Sequence, residues 1–317
     1  MRRALIIGIN DYKWAPLRGC INDANEIYRY LDRNEDDNRS SNFDCQVVTS
    51  DKYEITRNFA KRKIHQLFAN AADIALLYFS GHGAETGFGS YLVTPDAVKF
   101  DEGVSMTDVL IMANQSKTNE VIIMLDCCHS GYIGNQPFTG ENISMLREGV
   151  SIITSSTDYQ VSKERKDMGV FTKMICEALS GEAADLLGNV NLAGIYQYSD
   201  KSLSSWEQRP VFKSHVTAMT TIRKCRSKIG LKVIQQLPVY FKNEEDEFPL
   251  SPAFEYTSEE KEDEKVAVFQ NLQKCVSAGL VTPVGTDFMY FAAMESKTCK
   301  LTNLGQYYWK LALNNRI

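Results

Sequence analysis

Ile74–Gly83 reads IALLYFSGHG, and Val121–Gly131 reads VIIMLDCCHSG. Each is a continuous apolar run that stops abruptly at polar residues and glycine. Apolar runs this short, bounded by turn residues, predict strands buried on both faces, the habit of a parallel sheet covered by helices. In open α/β sheets the ligand sits beyond the carboxyl ends of the strands. The imidazole of His82 and the thiol of Cys128 are therefore expected at one edge of one sheet. Such a pair is the constellation of a cysteine hydrolase.

Outward from these runs, apolar segments alternate with helical patterns. Ala4–Ile9, Cys45–Thr49, Tyr91–Thr94 and Val150–Thr154 read as further strands. Asn22–Leu31, Thr56–Asn70, Met106–Ala113 and Phe171–Leu179 read as helices, the first with Ala24, Ile27, Tyr28 and Leu31 on one face. This alternation predicts an α/β fold with a mostly parallel central sheet flanked by helices. The pattern changes after about Lys224, so residues 1–224 are expected to form one domain. Residues 225–264, with their acidic clusters and Pro249 and Pro252, read as a linker and the start of a C-terminal domain. In 265–317 the spacing predicts a helix over Lys265–Ala278, strands at Leu280–Pro283 and Phe288–Ala293 joined through Gly285, and a closing helix over Leu301–Leu313. That order resembles a winged helix.

Composition narrows the partners. The chain has 317 residues, 44% of them apolar, and a net charge of −5. From Arg226 onward, 11 Lys and Arg face 12 Asp and Glu. A DNA-binding winged helix normally carries a basic footprint, so nucleic acid is not expected and a protein partner is. The apolar runs are far short of a membrane span, and Met1-Arg2-Arg3 leads straight into a strand. A cytoplasmic setting follows, with the eight cysteines as reduced thiols. They include no C-x-x-C pair, and contiguous Cys127, Cys128 and His129 have poor bite for a metal, so no cofactor is needed for the chemistry.

A thiol attacks a carbonyl only as thiolate, and an imidazole at the neighbouring strand end can take its proton. Gly81 and Gly83 let the backbone turn beside a ligand, making the N–H groups of Gly83 and Cys128 candidates for an oxyanion hole. Side chains alternate along a strand, so if Cys127 continues the buried face, Cys128 points to the rim. Cys127, Cys45, Cys176, Cys275 and Cys299 read as buried small hydrophobes. His65, His129 and His215 read as structural or surface residues.

The segments LLYFSGHG (76–83), LDCCHSG (125–131) and LRGCINDA (17–24) resemble the motifs of caspase-like cysteine peptidases, and within them the metacaspases. The resemblance covers roughly residues 1–224. It implies the caspase–haemoglobinase fold, with His82 as acid/base and Cys128 as nucleophile. It also implies cleavage after Arg or Lys, through an acidic S1 pocket of Asp23 and Asp126 with Cys20 and Ser80 beside them. Two carboxylates in a half-enclosed pocket await a cation, and a guanidinium meets a carboxylate as a planar fork. Asp23 opens a helix, so a capping role is its competing explanation.

Many metacaspases need calcium. Asp96 and Asp108 match part of that ligand set, but the usual acidic pair reads Thr107-Asp108, and Asn135 falls near another expected acid. Fewer carboxylates weaken the hold on a hard cation, which leaves calcium activation open. Candidate self-processing sites are Arg147 and the loop residues Lys163, Arg165 and Lys166; solvated surface charge is the competing account. Trp206 and Gln208 are placed near the substrate groove. The expected substrate is a protein or peptide with a basic P1 residue. Bacterial chains of this architecture are often effectors of defence or cell death. The alternative is a silent caspase-like scaffold acting through its C-terminal domain.

Overall fold

A computed structural model of the chain describes residues 1–127, 145–155, 168–203 and 209–317. They divide into two compact units, 1–184 with 189–226, and 185–188 with 227–317.

The first unit is built on a six-stranded sheet. In chain order it contains β1 (Arg2–Gly8), α1 (Cys20–Asp32), β2 (Asp44–Thr49), α2 (Arg57–Ala69), β3 (Ile74–Ser80), β4 (Gly83–Thr86), β5 (Gly89–Val98), β6 (Asp101–Ser105), α3 (Met106–Gln115), β7 (Glu120–Asp126), β8 (Val150–Thr154), α4 (Val170–Glu177), β9 (Asn189–Asn191), α5 (Leu192–Ser202), β10 (Val211–His215) and β11 (Thr221–Lys224). The central order is β10-β8-β7-β3-β1-β2. All neighbours are parallel except β10, which runs antiparallel along β8. Two antiparallel additions, β4-β5-β6 and β9-β11, complete the unit. The mostly parallel sheet between helices is the expected α/β architecture.

Alternation along the strands sorts the core into two layers. Leu5, Ile7, Leu77, Phe79, Ile123, Leu125 and Ile152 pack toward α2 and α3. Ala4, Ile6, Leu76, Tyr78, Ile122, Met124 and Ile153 pack toward α1, α4 and α5. Both faces of β3 are buried throughout, which explains its unbroken apolar run. α1 comes close to β1 because residue 8 is glycine. A Cβ there would lie 2.3 Å from the Cys20 carbonyl oxygen and 2.8 Å from the Ala24 Cβ. α1 buries Ala24, Ile27 and Leu31 as expected, while Tyr28 is exposed.

The second unit contains α6 (Leu231–Gln235), α7 (Leu237–Tyr240), β12 (Glu247–Pro249), α8 (Asp263–Ser277), β13 (Val281–Val284), α9 (Met289–Met294), β14 (Thr298–Leu301) and α10 (Asn303–Leu313). Its sheet has the order β12-β14-β13. The reading of 225–264 as linker gives way to folded structure. Ile229, Ile234, Leu237, Phe241, Leu250 and Phe254 are core residues, joined by Leu186 and Leu187 from the 185–188 excursion. The second hairpin strand also needs correcting. Phe288–Ala293 lies largely in α9, and the partner of β13 is β14. Met289, Ala292 and Ala293 are buried at helical spacing while Phe288, Tyr290 and Phe291 are exposed, so the period is 3.6 rather than 2. A helix therefore interrupts the hairpin that suggested a winged helix.

Overpacking a well-filled contact typically costs about 1–3 kcal/mol. Gly8→Ala, which drives a methyl into the Cys20 carbonyl, is expected to lie at the upper end of that range. Urea unfolding should show the lower midpoint with an unchanged slope.

Candidate active site

Beyond Ser80, the last residue of β3, the chain turns at Gly81. A Cβ at this position would lie 2.5 Å from the Tyr12 hydroxyl and 2.9 Å from the Phe79 ring, so only glycine fits. The turn sets His82 against the loop between β1 and α1. Its backbone N–H donates to the Tyr12 hydroxyl (3.0 Å), which donates in turn to the Val93 carbonyl (3.1 Å). Burial pushes the Tyr12 phenol well up, so the hydroxyl keeps its proton. His82 Nε2 lies 2.7 Å from the Ala15 carbonyl oxygen. A carbonyl can only accept, so Nε2 carries the hydrogen and the neutral ring keeps Nδ1 as its basic nitrogen. Trp14 stacks on the imidazole (centroids 5.0 Å apart, planes 26°), and Tyr12 meets it edge-on at 4.5 Å.

Asn10 shapes this loop. Its carbonyl accepts the N–H groups of Tyr12 (3.0 Å) and Leu17 (2.9 Å). Its side-chain amide donates to the Arg18 carbonyl, and its Oδ1 accepts the Ile21 N–H in the first turn of α1.

The thiol station is approached through β7. Its register against β3 pairs Ser80 with Asp126, and the Gly81 N–H reaches the Asp126 carbonyl at 3.4 Å. Cys127 is buried in the α2/α3 layer, continuing the buried face of the strand. Its carbonyl accepts the Ser155 hydroxyl at 3.2 Å. Cys128 follows directly and lies outside the described residues, as do His129, Asn135, Lys163, Arg165, Lys166, Trp206 and Gln208. Gly83 opens β4, paired with Leu92.

Strand parity decides where the carboxylates go. Ser80 and Asp126 share the parity of Tyr78 and Met124, so their side chains face α1 and α4. There Ser80 Oγ donates to Asp23 Oδ2 (2.8 Å), and the Gly169 N–H donates to Asp23 Oδ1 (2.9 Å). Asp126 Oδ2 accepts the Thr172 N–H (3.2 Å) and hydroxyl (2.5 Å), and the Thr172 hydroxyl lies 2.5 Å from that of Tyr78. Tyr78 and Thr172 are fully buried, Asp23 is 2% exposed and Asp126 8%. A Cβ on Gly169 would lie 2.5 Å from Asp126 Oδ2 and 3.2 Å from Asp23 Oδ2, so the two carboxylates converge on one glycine. Cys20, buried at the start of α1, completes the expected quartet. Burial raises the Asp126 carboxyl above the ordinary range, and the two Thr172 bonds oppose the shift without cancelling it. Among the described residues, every side-chain hydrogen bond of Asp126 falls on Oδ2.

The remaining candidates have structural partners. Asp96 accepts the Arg57 N–H at the start of α2 (3.0 and 3.2 Å) and the Thr94 hydroxyl (2.6 Å). Asp108 pairs with Lys61 at 2.5 Å. Among the described residues no group of three or more His, Cys, Asp or Glu could hold a metal ion. The Arg147 guanidinium donates to the carbonyls of Ala113 (3.3 Å), Thr118 (2.7 Å) and Glu148, and its burial lowers its pKa. Among the described residues no helix is long and apolar enough to cross a membrane.

Sequence reasoning passes over Tyr12, Trp14, Ala15, Gly169 and Thr172. Two aromatics just past a strand's carboxyl end were a legible signal for the first three. Nothing in the sequence marks Thr172, whose role comes from packing.

Residues 1–221 match the caspase domain. Among curated proteins, metacaspase-3 of Trypanosoma cruzi is 29% identical over 168 residues, covering 47% of this chain and 46% of that protein. Metacaspase-1 of Saccharomyces cerevisiae is 28% identical over 173 residues, 46% of this chain and 37% of the relative. The chain thus aligns with less than half the length of these relatives. The crystal structure of protein GSU0716 from Geobacter sulfurreducens superposes with a TM-score of 0.50 at 17% identity, covering 71% of this chain and 99% of that one. Caspase-1 from Spodoptera frugiperda gives a TM-score of 0.47 at 16% identity, covering 71% and 90%. With its two expected strand-end motifs and a domain match over most of its length, the chain belongs to the caspase-domain family of cysteine peptidases.

Proposed function

We propose that this chain is a cysteine endopeptidase that cleaves proteins after Arg or Lys. The observation that carries the reading is the fixed tautomer of His82: Nε2 bound to the Ala15 carbonyl leaves Nδ1 to accept a proton. Cys128, two residues beyond Asp126 as His82 is two beyond Ser80, would donate it. The thiolate then attacks the substrate carbonyl, the N–H groups of Gly83 and Cys128 hold the oxyanion, and His82 returns the proton to the leaving amine. Water attacks the acyl-thioenzyme, and the thiol reforms.

The specificity follows from Asp23 and Asp126, two buried acids beside the strand exits. Asp126 keeps Oδ1 for an incoming cation, while Oδ2 is held by Thr172. A guanidinium or ammonium offsets the desolvation that raises this carboxyl. The reading extends to an effector role in a bacterial defence or cell-death pathway, with the second unit taking a protein partner. Its exposed Phe288, Tyr290 and Phe291 support such a role. Self-cleavage after Arg147 would first require withdrawing its guanidinium from three carbonyls, so Lys163, Arg165 and Lys166 are the favoured sites.

A fluorogenic panel tests the activity. Arginyl and lysyl substrates should be turned over and aspartyl ones ignored, with Cys128→Ala and His82→Ala silent; aspartyl preference would reject the assignment of Asp23 and Asp126.

Thr172→Val tests how the acid is held. The lost hydrogen bond lowers the pKa in the parent protein, so the Asp126 carboxyl should titrate higher still in the variant. Raised folded-state pKa means the folded protein binds that proton more tightly than the unfolded chain. The unfavourable contribution is therefore present above the raised value and relieved as pH falls through it, so the variant's stability deficit shrinks on acidification. Carboxyl-detected NMR and urea unfolding at two pH values check both expectations, and Thr172→Ser should restore them.

A further inference from the structure

Trp14 is 58% exposed, yet its indole lies over the face of the His82 ring. The planes are 26° apart at a centroid separation of 5.0 Å, and Tyr12 touches both rings, at 4.5 Å from His82 and 5.7 Å from Trp14. The backbone of the following residue, Ala15, holds the Nε2 hydrogen. One short stretch, 12–15, thus contacts the imidazole on a face, on an edge and at one nitrogen.

The Tyr12 phenol is kept neutral by burial, and the thiols of Cys20 at the start of α1 and Cys127 at the end of β7 lie near enough to act on it. β5 meets His82 through the Val93 backbone, whose N–H donates to the His82 carbonyl at 3.0 Å. Lys13 lies within the stretch, and Asp11 and Arg18 stand on either side of it in sequence. An aromatic face is electron-rich, and it attracts a cationic ring more strongly than a neutral one.

In the reaction the thiol S–H bond breaks and an N–H bond forms at Nδ1, leaving a thiolate and an imidazolium. We infer that Trp14 is a positioning residue for this step, its indole fixing the plane of His82 and stabilising the imidazolium it becomes. The inference rests on His82 being the base.

The test begins with Cys128→Ala, in which the ring titrates without its thiol. There the Trp14 fluorescence should be quenched as the imidazole protonates, and the quench should vanish in Trp14→Phe and His82→Ala. Followed by NMR, the His82 ring should titrate about half a pH unit lower in Trp14→Ala, the value of a cation–π contact at an exposed site. Trp14→Phe, which keeps an aromatic face, should recover part of the shift. With Cys128 intact, Trp14→Ala should lower kcat on an arginyl substrate about threefold at unchanged KM, and Trp14→Phe should restore it. An unmoved His82 titration overturns the inference, as does a raised KM at constant kcat, which would make Trp14 a substrate contact. The underlying reading fails by a different result: full turnover in His82→Ala would show that His82 is not the base, while the quench seen in Cys128→Ala would still report the Trp14–His82 stack.

Discussion

The pairing of β3 with β7, in parallel and in register from Ile74–Glu120 to Ser80–Asp126, is the constraint on which the rest depends. Because side chains alternate with a period of two, a slip by one residue would turn Asp126 toward α2 and α3 and Cys127 toward α1 and α4. The buried acid would lose Thr172, and the apolar thiol would lose its layer. The long apolar runs on both strands hold the register, since every residue of β3 and nearly every one of β7 is buried. The motifs that follow are placed as a consequence.

Burying two acids against one glycine would be prohibitive if both were left without donors, since a charge loses several kcal/mol of hydration in a protein interior. Asp23 receives Ser80 and Gly169, and Asp126 receives Thr172 twice. Asp23 is an acid in the first turn of its own helix, α1, and its side chain also accepts the N–H of Gly169, the residue just before α4, so it serves a neighbouring helix as well. For Asp126 desolvation still outweighs its hydrogen bonds. A site built only for stability would favour an apolar pair here. A carboxyl that burial holds above its ordinary pKa, at the end of a strand, marks a functional-site candidate.

The sequence shows most of the first unit because its signals are collective. Six apolar runs and four helical patterns agree with one another, and Val150–Thr154 coincides with β8. The strand-end motifs make His82, Ser80 and Asp126 legible as well. The antiparallel strands β4 and β6 are not, since Gly83–Thr86 and Asp101–Ser105 are short, polar and half-exposed, with no run to mark them. In the second unit, Phe288–Ala293 misleads because consecutive aromatics imitate a strand while only Met289, Ala292 and Ala293 face the core. The acidic stretches near Pro249 hide a core segment, for its buried residues are spaced by turns and not by a period. Thr172 and Gly169 are invisible in sequence because their roles exist only once α4 meets the strand ends.

The β1–α1 connection joins the two halves of the chemistry. It leaves β1 at Gly8, lies over the end of β3 through the Ile9 N–H to the Ser80 carbonyl (3.0 Å), and supplies Tyr12, Trp14 and Ala15 to the imidazole. Asn10 then ties it to the first turn of α1, which begins with Cys20 and carries Asp23. A displacement of this one segment would shift the Ala15 carbonyl under His82 and the Asp23 carboxylate under Ser80 together. The orientation of His82 and the placement of the Asp23 carboxylate are therefore not independent features. The tight approach at Gly8, where a Cβ has no room against the Cys20 carbonyl, fixes the start of α1 and with it both stations. That coupling ties a motif around Cys20 and Asp23, some sixty residues before the histidine, to the same edge of the sheet as His82.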